Sequence, residues 1–264
     1  ILQANILMSS TLWRNRGGKI DLASKEFRVF SQWGDDGIIQ YLIRELKIKN
    51  KFFIEFGVGN YYESNTHFLL VNNNWSGFVI DGSQKCMDTV RNNAFYWRYD
   101  LKLKTAFINK DNINSLLLES NFKQIGLLHI DLDGNDYWIL KKIIESNILP
   151  EVIIVEYNAS FLDKNISIPY DDLFDRKKKH KSGFYHGASL SAFYNLLNSK
   201  NYNLVKVIGG ANAIFVNDEM LKKTKLVKHT PDKIYEECLL RNKWSNLTAK
   251  EQFEIIRHLE VKIV

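Results

Sequence analysis

Cysteine, proline and glycine are all scarce in this sequence, with 2 Cys, 3 Pro and 14 Gly among 264 residues. Cys86 and Cys238 lie far apart and form no Cys-x-x-Cys pair or disulfide framework, which favours the cytoplasm over an oxidising compartment. The scarcity of Pro and Gly excludes a flexible linker, so no internal domain boundary is marked. No apolar run reaches the roughly eighteen residues that a transmembrane helix needs, and the first residues lack the pattern of a secretory signal.

The excess of positive over negative charge is also small. Lys and Arg number 36 against 30 Asp and Glu, a formal net charge of +6. Such an excess would suit nucleic acid, but the charge is scattered, and its one dense cluster (176–181) lies in a segment that reads as a solvated loop. A nucleic-acid-binding or RNA-modifying protein would need a coherent basic face with stacking aromatics. We therefore expect a small-molecule partner and no nucleic acid, and leave homo-oligomerisation open.

Short apolar segments alternate with segments of helical periodicity, which is typical of a parallel sheet covered by helices. Because the apolar positions are consecutive, we expect strands that are buried on both faces. The expected parallel strands are 52–56, 77–80, 105–108, 127–130 and 152–155, followed by an antiparallel hairpin over 203–208 and 213–216. The expected helices are 37–46, 65–72, 85–92, 113–120, 137–146, 188–197, 232–240 and 250–259.

Two glycines follow the first expected strand. Gly57 and Gly59 allow positive φ and a close approach of backbone to a ligand. Asp81 ends the next strand about twenty residues later, where an acid in a Rossmann-type fold accepts hydrogen bonds from ribose hydroxyls. This combination predicts an adenosine-bearing ligand across the ends of the first two strands.

The glycine motif departs from the dinucleotide pattern, because the third glycine of Gly-x-Gly-x-x-Gly is missing and Tyr61 and Tyr62 would crowd a pyrophosphate. Glu55, just before the motif, disfavours a polyphosphate and suits a cationic sulfonium or amino group. The motif therefore favours S-adenosylmethionine (SAM) over NAD and argues against an NAD-linked oxidoreductase. After the third strand, Asp111 and Asn112 are expected to bond the adenine edge, to cap the following helix, or to do both.

Acidic and amide side chains follow the fourth and fifth strands. Asp131, Asp133, Glu156 and Asn158 lie at neighbouring strand ends and are expected to converge. Converging carboxylates bind a cation, share a proton or hydrogen-bond to substrate. One reading is an Mg²⁺ or Mn²⁺ site made of these four residues. A second is a general base, either one of these carboxylates or His186, and a third is an Asx turn at Asp133 and Asn135 that only caps a helix.

Several segments resemble a known family. These are residues 30–37, 55–60, 63–66, 75–83, 129–138, 156–159 and 187–190. They are similar to the FkbM-like SAM-dependent methyltransferases of bacteria, particularly those of capsule and surface-polysaccharide biosynthesis. The most specific match is the run 130–138, Ile-Asp-Leu-Asp-Gly-Asn-Asp-Tyr-Trp.

The resemblance implies a Rossmann-like class I methyltransferase fold, with a mostly parallel seven-stranded sheet and helices on both faces. It implies a core domain over 30–220 between an N-terminal extension (1–29) and a C-terminal helical extension (221–264). The implied activity is O-methylation of a sugar hydroxyl, on an acceptor that includes nucleotide-activated sugars such as a heptose. A phosphate-type oxygen, as in a capsular phosphoramidate, is the alternative acceptor.

The resemblance also assigns site residues. By the resemblance, Asp131 and Glu156 would face the transferred methyl, and Gly57, Gly59, Asp81 and Ser83 would hold the donor. His186 stays a catalytic candidate from the sequence pattern described above, as a candidate general base. The strand-end pattern and the resemblance together predict that the donor is held by Gln32, Asp36, Glu55, Gly57, Gly59, Asn65, Thr66, Asp81, Gly82, Ser83, Asp111, Asn112 and Asp131.

Overall fold

The computed structural model describes residues 2–9, 20 and 22–264. The described strands are β1 Phe52–Phe56, β2 Ser76–Asp81, β3 Leu101–Thr105, β4 Leu127–Ile130, β5 Val152–Glu156, β6 Ile166–Ser167, β7 Tyr202–Ile208, β8 Asn212–Asn217 and β9 Lys262–Ile263. The described helices are α1 Leu2–Ser9, α2 Asp35–Glu45, α3 His67–Asn73, α4 Gln84–Arg91, α5 Ile113–Glu119, α6 Asp136–Glu145, α7 Arg176–Lys179, α8 Leu190–Asn198, α9 Asp218–Leu221, α10 Pro231–Ile234, α11 Leu239–Ser245 and α12 Ala249–Ile256.

Seven strands form one sheet in the order β3-β2-β1-β4-β5-β8-β7. The first five are parallel, and β8 runs antiparallel to both β5 and β7. This order, with a reversed strand inserted beside β5, is that of the Rossmann-like class I methyltransferases. The predicted fold class is therefore confirmed.

The central strands are buried on both faces because helices cover both sides of the sheet. Along β1, Ile54 packs into one apolar layer and Phe53 into the other. The first layer includes Leu140 of α6 and Phe193 of α8, whereas α2, α3 and α4 contribute to the second. These two layers hold the carboxyl ends of the parallel strands at one edge of the sheet, where a ligand site is expected.

The third strand differs from its predicted position. It spans Leu101–Thr105, whereas the sequence predicted 105–108. The prediction followed the apolar run, but β3 is an edge strand in which partly exposed lysines alternate with leucines. Thr105 pairs in register with Asp81 at the end of β2, so the apolar residues that follow lie beyond the sheet. They become a wall of the cavity described below.

The expected helix 232–240 is broken in two. The chain leaves α10 in an extended conformation at Tyr235 and re-enters a helix only at Leu239. Contacts with the end of the sheet account for the break: the Tyr157 hydroxyl donates to the carbonyl of Glu236 (2.6 Å), and that of Tyr235 donates to the carbonyl of Ala159 (2.8 Å). These contacts bring α11 against the carboxyl edge of the sheet.

The C-terminal segment also joins the insertion between β5 and α8. Strand β9 pairs with β6, and Ile256 of α12 packs in a separate apolar cluster with Phe161 and Tyr185. Part of the N-terminal extension (1, 10–19 and 21) lies outside the described residues. Among the helices that are described, none is long and apolar enough to cross a bilayer.

Candidate functional site

A cavity of about 1030 Å³ opens at the carboxyl ends of four neighbouring parallel strands. Gly57 follows β1, Asp81 ends β2, Asp131 follows β4 and Glu156 ends β5, and all four line the cavity. Side chains that are distant in sequence meet here because the strands are parallel and adjacent.

The glycine loop after β1 is fixed by both of its glycines. Gly57 has φ +72°, and a Cβ on it would lie 1.7 Å from the carbonyl oxygen of Asp131. Gly59 has φ +53°, and its N–H donates to Oδ2 of Asp81 (2.8 Å). The other Asp81 oxygen accepts from the N–H of Ser83 (2.7 Å), so one carboxylate ties the two loops together. The backbone is thus held open toward the cavity.

Glu55 lies behind this loop and does not line the cavity. Its carboxylate accepts from the hydroxyls of Ser64 and Thr66, from the N–H of Asn65 (3.1 Å) and from Nδ1 of His129 (2.9 Å). Burial raises the pKa of Glu55, but His129 and the two hydroxyls outweigh it and hold the pKa below its ordinary value. Glu55, Asn65 and Thr66 thus form an internal network that supports the loop, rather than a surface for the donor.

Of the two expected residues before β1, only Gln32 lines the cavity. Asp36 is buried and accepts from the N–H groups of Val29, Phe30 and Ser31 at 2.7, 2.7 and 2.9 Å. Asp36 therefore shapes the loop that presents Gln32.

The loop after β3 supplies apolar wall rather than polar contacts. Phe107 and Ile108 line the cavity beside Gly82, on which a Cβ would lie 2.9 Å from the Phe107 ring. Asp111 and Asn112 lie outside the lining: the N–H groups of both donate to Oδ1 of Asn109, and the Asn112 amide contacts the backbone of this loop. Ser83 likewise caps α4, where it accepts from the N–H of Cys86 (3.2 Å).

Three carboxylates converge at the ends of β4 and β5. Asp131, Asp133 and Glu156 each offer an oxygen within 4.8 Å of the others. Burial and, next, the negative charge of Glu156 raise the pKa of Asp131 well above its ordinary range. Within the described residues the Asp131 side chain has no hydrogen-bond partner, although it lines the cavity. A carboxyl with a raised pKa and a free face is suited to accept a proton.

Three of the four predicted metal ligands converge, whereas the fourth, Asn158, is engaged elsewhere. The amide of Asn158 donates to the carbonyls of Phe184 and His186, and its oxygen accepts from the N–H of Ser160. Asp133 pairs with Arg176 (2.7 Å) and Glu156 with Arg241 (3.6 Å). A divalent cation held by Asp131, Asp133 and Glu156 would compete with both guanidinium groups for these oxygens.

The residue that makes the Asx turn in this loop also differs from the two predicted, Asp133 and Asn135. Asp136 makes the turn, because its carboxylate accepts from the N–H groups of Leu132 (2.7 Å) and Gly134 (2.9 Å). Asn135 instead bonds the backbone of Asp171. Asp133 is left exposed to the cavity.

His186 is buried behind Glu156 and does not line the cavity. Its Nδ1 lies 3.8 Å from Oε2 of Glu156, and its Nε2 has no partner within the described part of the chain. Burial, with the charges of Arg176 and Arg241, lowers the pKa of His186 well below its usual value. The ring is therefore neutral near pH 7, and Glu156 lies between it and the cavity.

Two site residues were missed by sequence reasoning, Arg176 and Arg241. Arg176 belongs to the basic cluster that was read as a solvated loop, and Arg241 lies in the C-terminal extension, whose role the sequence did not indicate. The chain around Arg176 folds over the cavity, and its guanidinium also donates to the carbonyl of Gly183 (2.6 Å). The density of basic residues was the one available signal for Arg176.

Asp35, at the start of α2, is fully buried; its Oδ1 accepts from Asn212 (2.9 Å) and its Oδ2 has no partner among the described residues. Burial raises the pKa of Asp35 from 3.8 to about 6, against the hydrogen bond from Asn212. The folded chain therefore holds this proton more tightly than the unfolded chain, and stability falls as pH rises between these values.

We expect Asp35→Asn to remove this pH dependence. Between about pH 4 and pH 6, the free energy of unfolding of the variant should therefore rise by on the order of 3 kcal/mol relative to that of wild type. Urea unfolding of both proteins from about pH 4 to pH 7 measures the difference. A difference that is constant over this range would contradict the assignment to Asp35.

No family model and no curated protein sequence matches this chain. Solved structures do match it. A SAM-dependent methyltransferase from Clostridium acetobutylicum ATCC 824 is 16% identical, with 72% of this chain and 92% of that chain covered and a TM-score of 0.45. The N-terminal domain of EvdMO1, with SAH bound, is 9% identical, with 82% and 94% covered and a TM-score of 0.46. Magnesium protoporphyrin IX methyltransferase (ChlM) from Synechocystis PCC 6803, with bound SAM, is 10% identical, with 82% and 96% covered and a TM-score of 0.45. The fold class rests on the strand order described above.

Proposed function

We propose that the chain is a SAM-dependent O-methyltransferase that acts on a sugar hydroxyl in surface-polysaccharide biosynthesis, in the cytoplasm. One observation carries the proposal: a glycine loop tied to the acid at the end of β2 shares a cavity with an unpartnered, proton-accepting carboxyl at the end of β4. The free thiols of Cys86 and Cys238 are compatible with a reducing compartment.

The donor half of the cavity fits an adenosine-bearing sulfonium. Gly57 and Gly59 leave the backbone bare, Asp81 offers carboxylate oxygens to ribose hydroxyls, and Phe107 offers an exposed ring for the base. Bound there, SAM supplies an electrophilic methyl group. The neighbouring acids disfavour a polyphosphate in its place.

Asp131 is assigned as the general base. Methyl transfer to a hydroxyl would form an oxygen–carbon bond while the sulfur–carbon bond of SAM breaks and S-adenosylhomocysteine leaves. The hydroxyl proton would pass to the Asp131 carboxylate. Its raised pKa makes it a stronger base than an ordinary aspartate. Glu156, neutralised by Arg241, is positioned to orient the acceptor.

The acceptor half of the cavity suits a polyhydroxylated ring. Asp133, Glu156 and Arg241 present planar groups that can bond pairs of hydroxyls, and the Trp244 side chain, 75% exposed, offers an apolar face. Carboxylates and guanidinium groups beside an exposed indole ring favour a sugar over an aromatic acceptor.

Titration calorimetry tests the donor assignment. We expect S-adenosylhomocysteine (SAH) to bind and NAD and a mixed oligonucleotide not to bind. Transfer of labelled methyl from SAM to a panel of hexoses, hexose 1-phosphates and nucleoside diphosphate hexoses then tests the acceptor. Binding of NAD or the oligonucleotide without SAH would overturn the proposal.

A further inference from the structure

The loop after β3 (106–112), which carries the Phe107 wall of the cavity, is anchored at two points. At its start, the N–H of Ala106 donates to the carbonyl of Asp81 at the end of β2 (3.0 Å). Farther along, the N–H of Lys110 donates to the hydroxyl oxygen of Tyr170 (2.9 Å). Among the described residues, the side-chain hydrogen bonds that the loop makes otherwise join its own members or lead into α5. Tyr170 therefore ties the far side of this loop to the segment after β6.

The Lys110 side chain reinforces the same connection. Its Nζ lies 4.0 Å from the ring centroid of Tyr170 and 4.5 Å from that of Trp138 on α6. An ammonium group close to two aromatic faces is attracted by both. Trp138 is itself held in place, because its Nε1–H donates to the carbonyl of Ile168 (2.8 Å). The position of the loop thus depends on contacts with two rings as well as on the backbone hydrogen bond.

The hydroxyl of Tyr170 both accepts and donates. It accepts from the N–H of Lys110 and donates to Oδ1 of Asp172. Burial and, next, the hydrogen bond to Asp172 raise the pKa of Tyr170 to about 12, so the hydroxyl keeps its proton near neutral pH. Phenylalanine at this position would keep a ring beside Lys110 but would leave the Lys110 N–H without its acceptor.

We propose that Tyr170 is a positioning residue for the methyl donor, because through Lys110 it fixes the loop whose Phe107 ring stands beside the donor base. This inference rests on the methyltransferase function proposed above and adds a residue to its donor site. Tyr170 does not line the cavity, so it acts through the loop rather than by touching SAM. The adenosine end of the donor, and not its amino-acid end, is therefore the part that depends on Tyr170.

A double-mutant cycle tests whether Tyr170 acts through Phe107. SAH is titrated by calorimetry into wild type, Tyr170→Phe, Phe107→Ala and the double variant. We expect Tyr170→Phe to lose roughly five- to tenfold in SAH affinity and Phe107→Ala to lose roughly tenfold. The double variant should bind SAH about as weakly as Phe107→Ala alone, because no ring is left to be positioned. Adenosine, which lacks the amino-acid end of SAH, should lose the same factor in Tyr170→Phe.

Tyr202→Phe is the matched control. The Tyr202 hydroxyl is buried and donates to the carbonyl of Pro150, at the edge of the sheet opposite the cavity. Its removal should lower the free energy of unfolding but leave SAH affinity at the wild-type value, which separates a loss of stability from a loss of position. Lys110→Met removes the charge between the two rings and keeps the N–H, and we expect it to lose roughly threefold in SAH affinity.

Wild-type SAH affinity in Tyr170→Phe would overturn the inference. If that variant does not fold, wild-type affinity in Lys110→Met would overturn it instead. A loss in the double variant equal to the product of the single losses, roughly fifty- to a hundredfold, would show that Tyr170 does not act through Phe107. Weakened SAH binding with unchanged adenosine binding would also contradict it. Failure of the wild-type protein to bind SAH would contradict the proposed function itself.

Discussion

Asp131→Asn is expected to lower the rate of methyl transfer by roughly a hundred- to ten-thousand-fold while leaving SAH affinity unchanged. The amide retains the shape of the side chain but cannot accept the hydroxyl proton. No internal hydrogen bond of the described residues is lost, because the Asp131 carboxyl has no partner in them. Single-turnover transfer of labelled methyl to the acceptor identified by the panel measures the rate, and calorimetry measures SAH affinity.

Asp172→Asn is the matched control, because Asp172 lines the same cavity but stands apart from the three converging carboxylates. This variant should retain most of the activity. In wild type the rate should rise with pH through the pKa of Asp131, at a higher pH than an ordinary aspartate would give. An Asp131→Asn variant with near wild-type turnover would show that another group takes the proton.

The strand framework was predictable because the central strands are apolar at consecutive positions. That signal fails at the sheet edge, where β3 is partly exposed and alternates Leu101 and Leu103 with lysines. The apolar run after Thr105 looks like a strand in sequence, yet it lies beyond the sheet and lines the cavity through Phe107. An apolar run in sequence does not distinguish a strand buried by helices from a loop that borders a ligand site.

Residues that line the cavity were predictable where the main chain or a strand end dictates their position, as at Gly57, Asp81 and Asp131. Glu55 shows the limit: its place beside the glycine loop was evident, but the direction of its side chain depends on His129, 74 residues away. Arg241 was not predictable, because its position depends on the break between α10 and α11, which contacts with Tyr157 and Tyr235 impose.

The two glycines of the loop should lose very different amounts of stability when each is replaced by alanine. For Gly57→Ala we expect the free energy of unfolding to fall by about 3 kcal/mol or more, because the new Cβ would lie 1.7 Å from the Asp131 carbonyl and would push the ends of β1 and β4 apart. SAH binding should be lost with the loop geometry. Urea unfolding and SAH calorimetry measure the two effects.

Gly59→Ala should cost little stability and should mainly weaken SAH binding. Nothing lies within 4 Å of its Cβ, so stability should fall only by the ~1 kcal/mol that a left-handed φ costs. The methyl group instead enters the cavity, where we expect it to reduce SAH affinity by roughly tenfold or more. Gly183→Ala gives the baseline for strain at positive φ, since its nearest neighbour is 3.8 Å away. Equal loss of stability in the variants at 57 and 59 would contradict the close approach of β1 and β4, and unchanged SAH affinity at 59 would place the donor elsewhere.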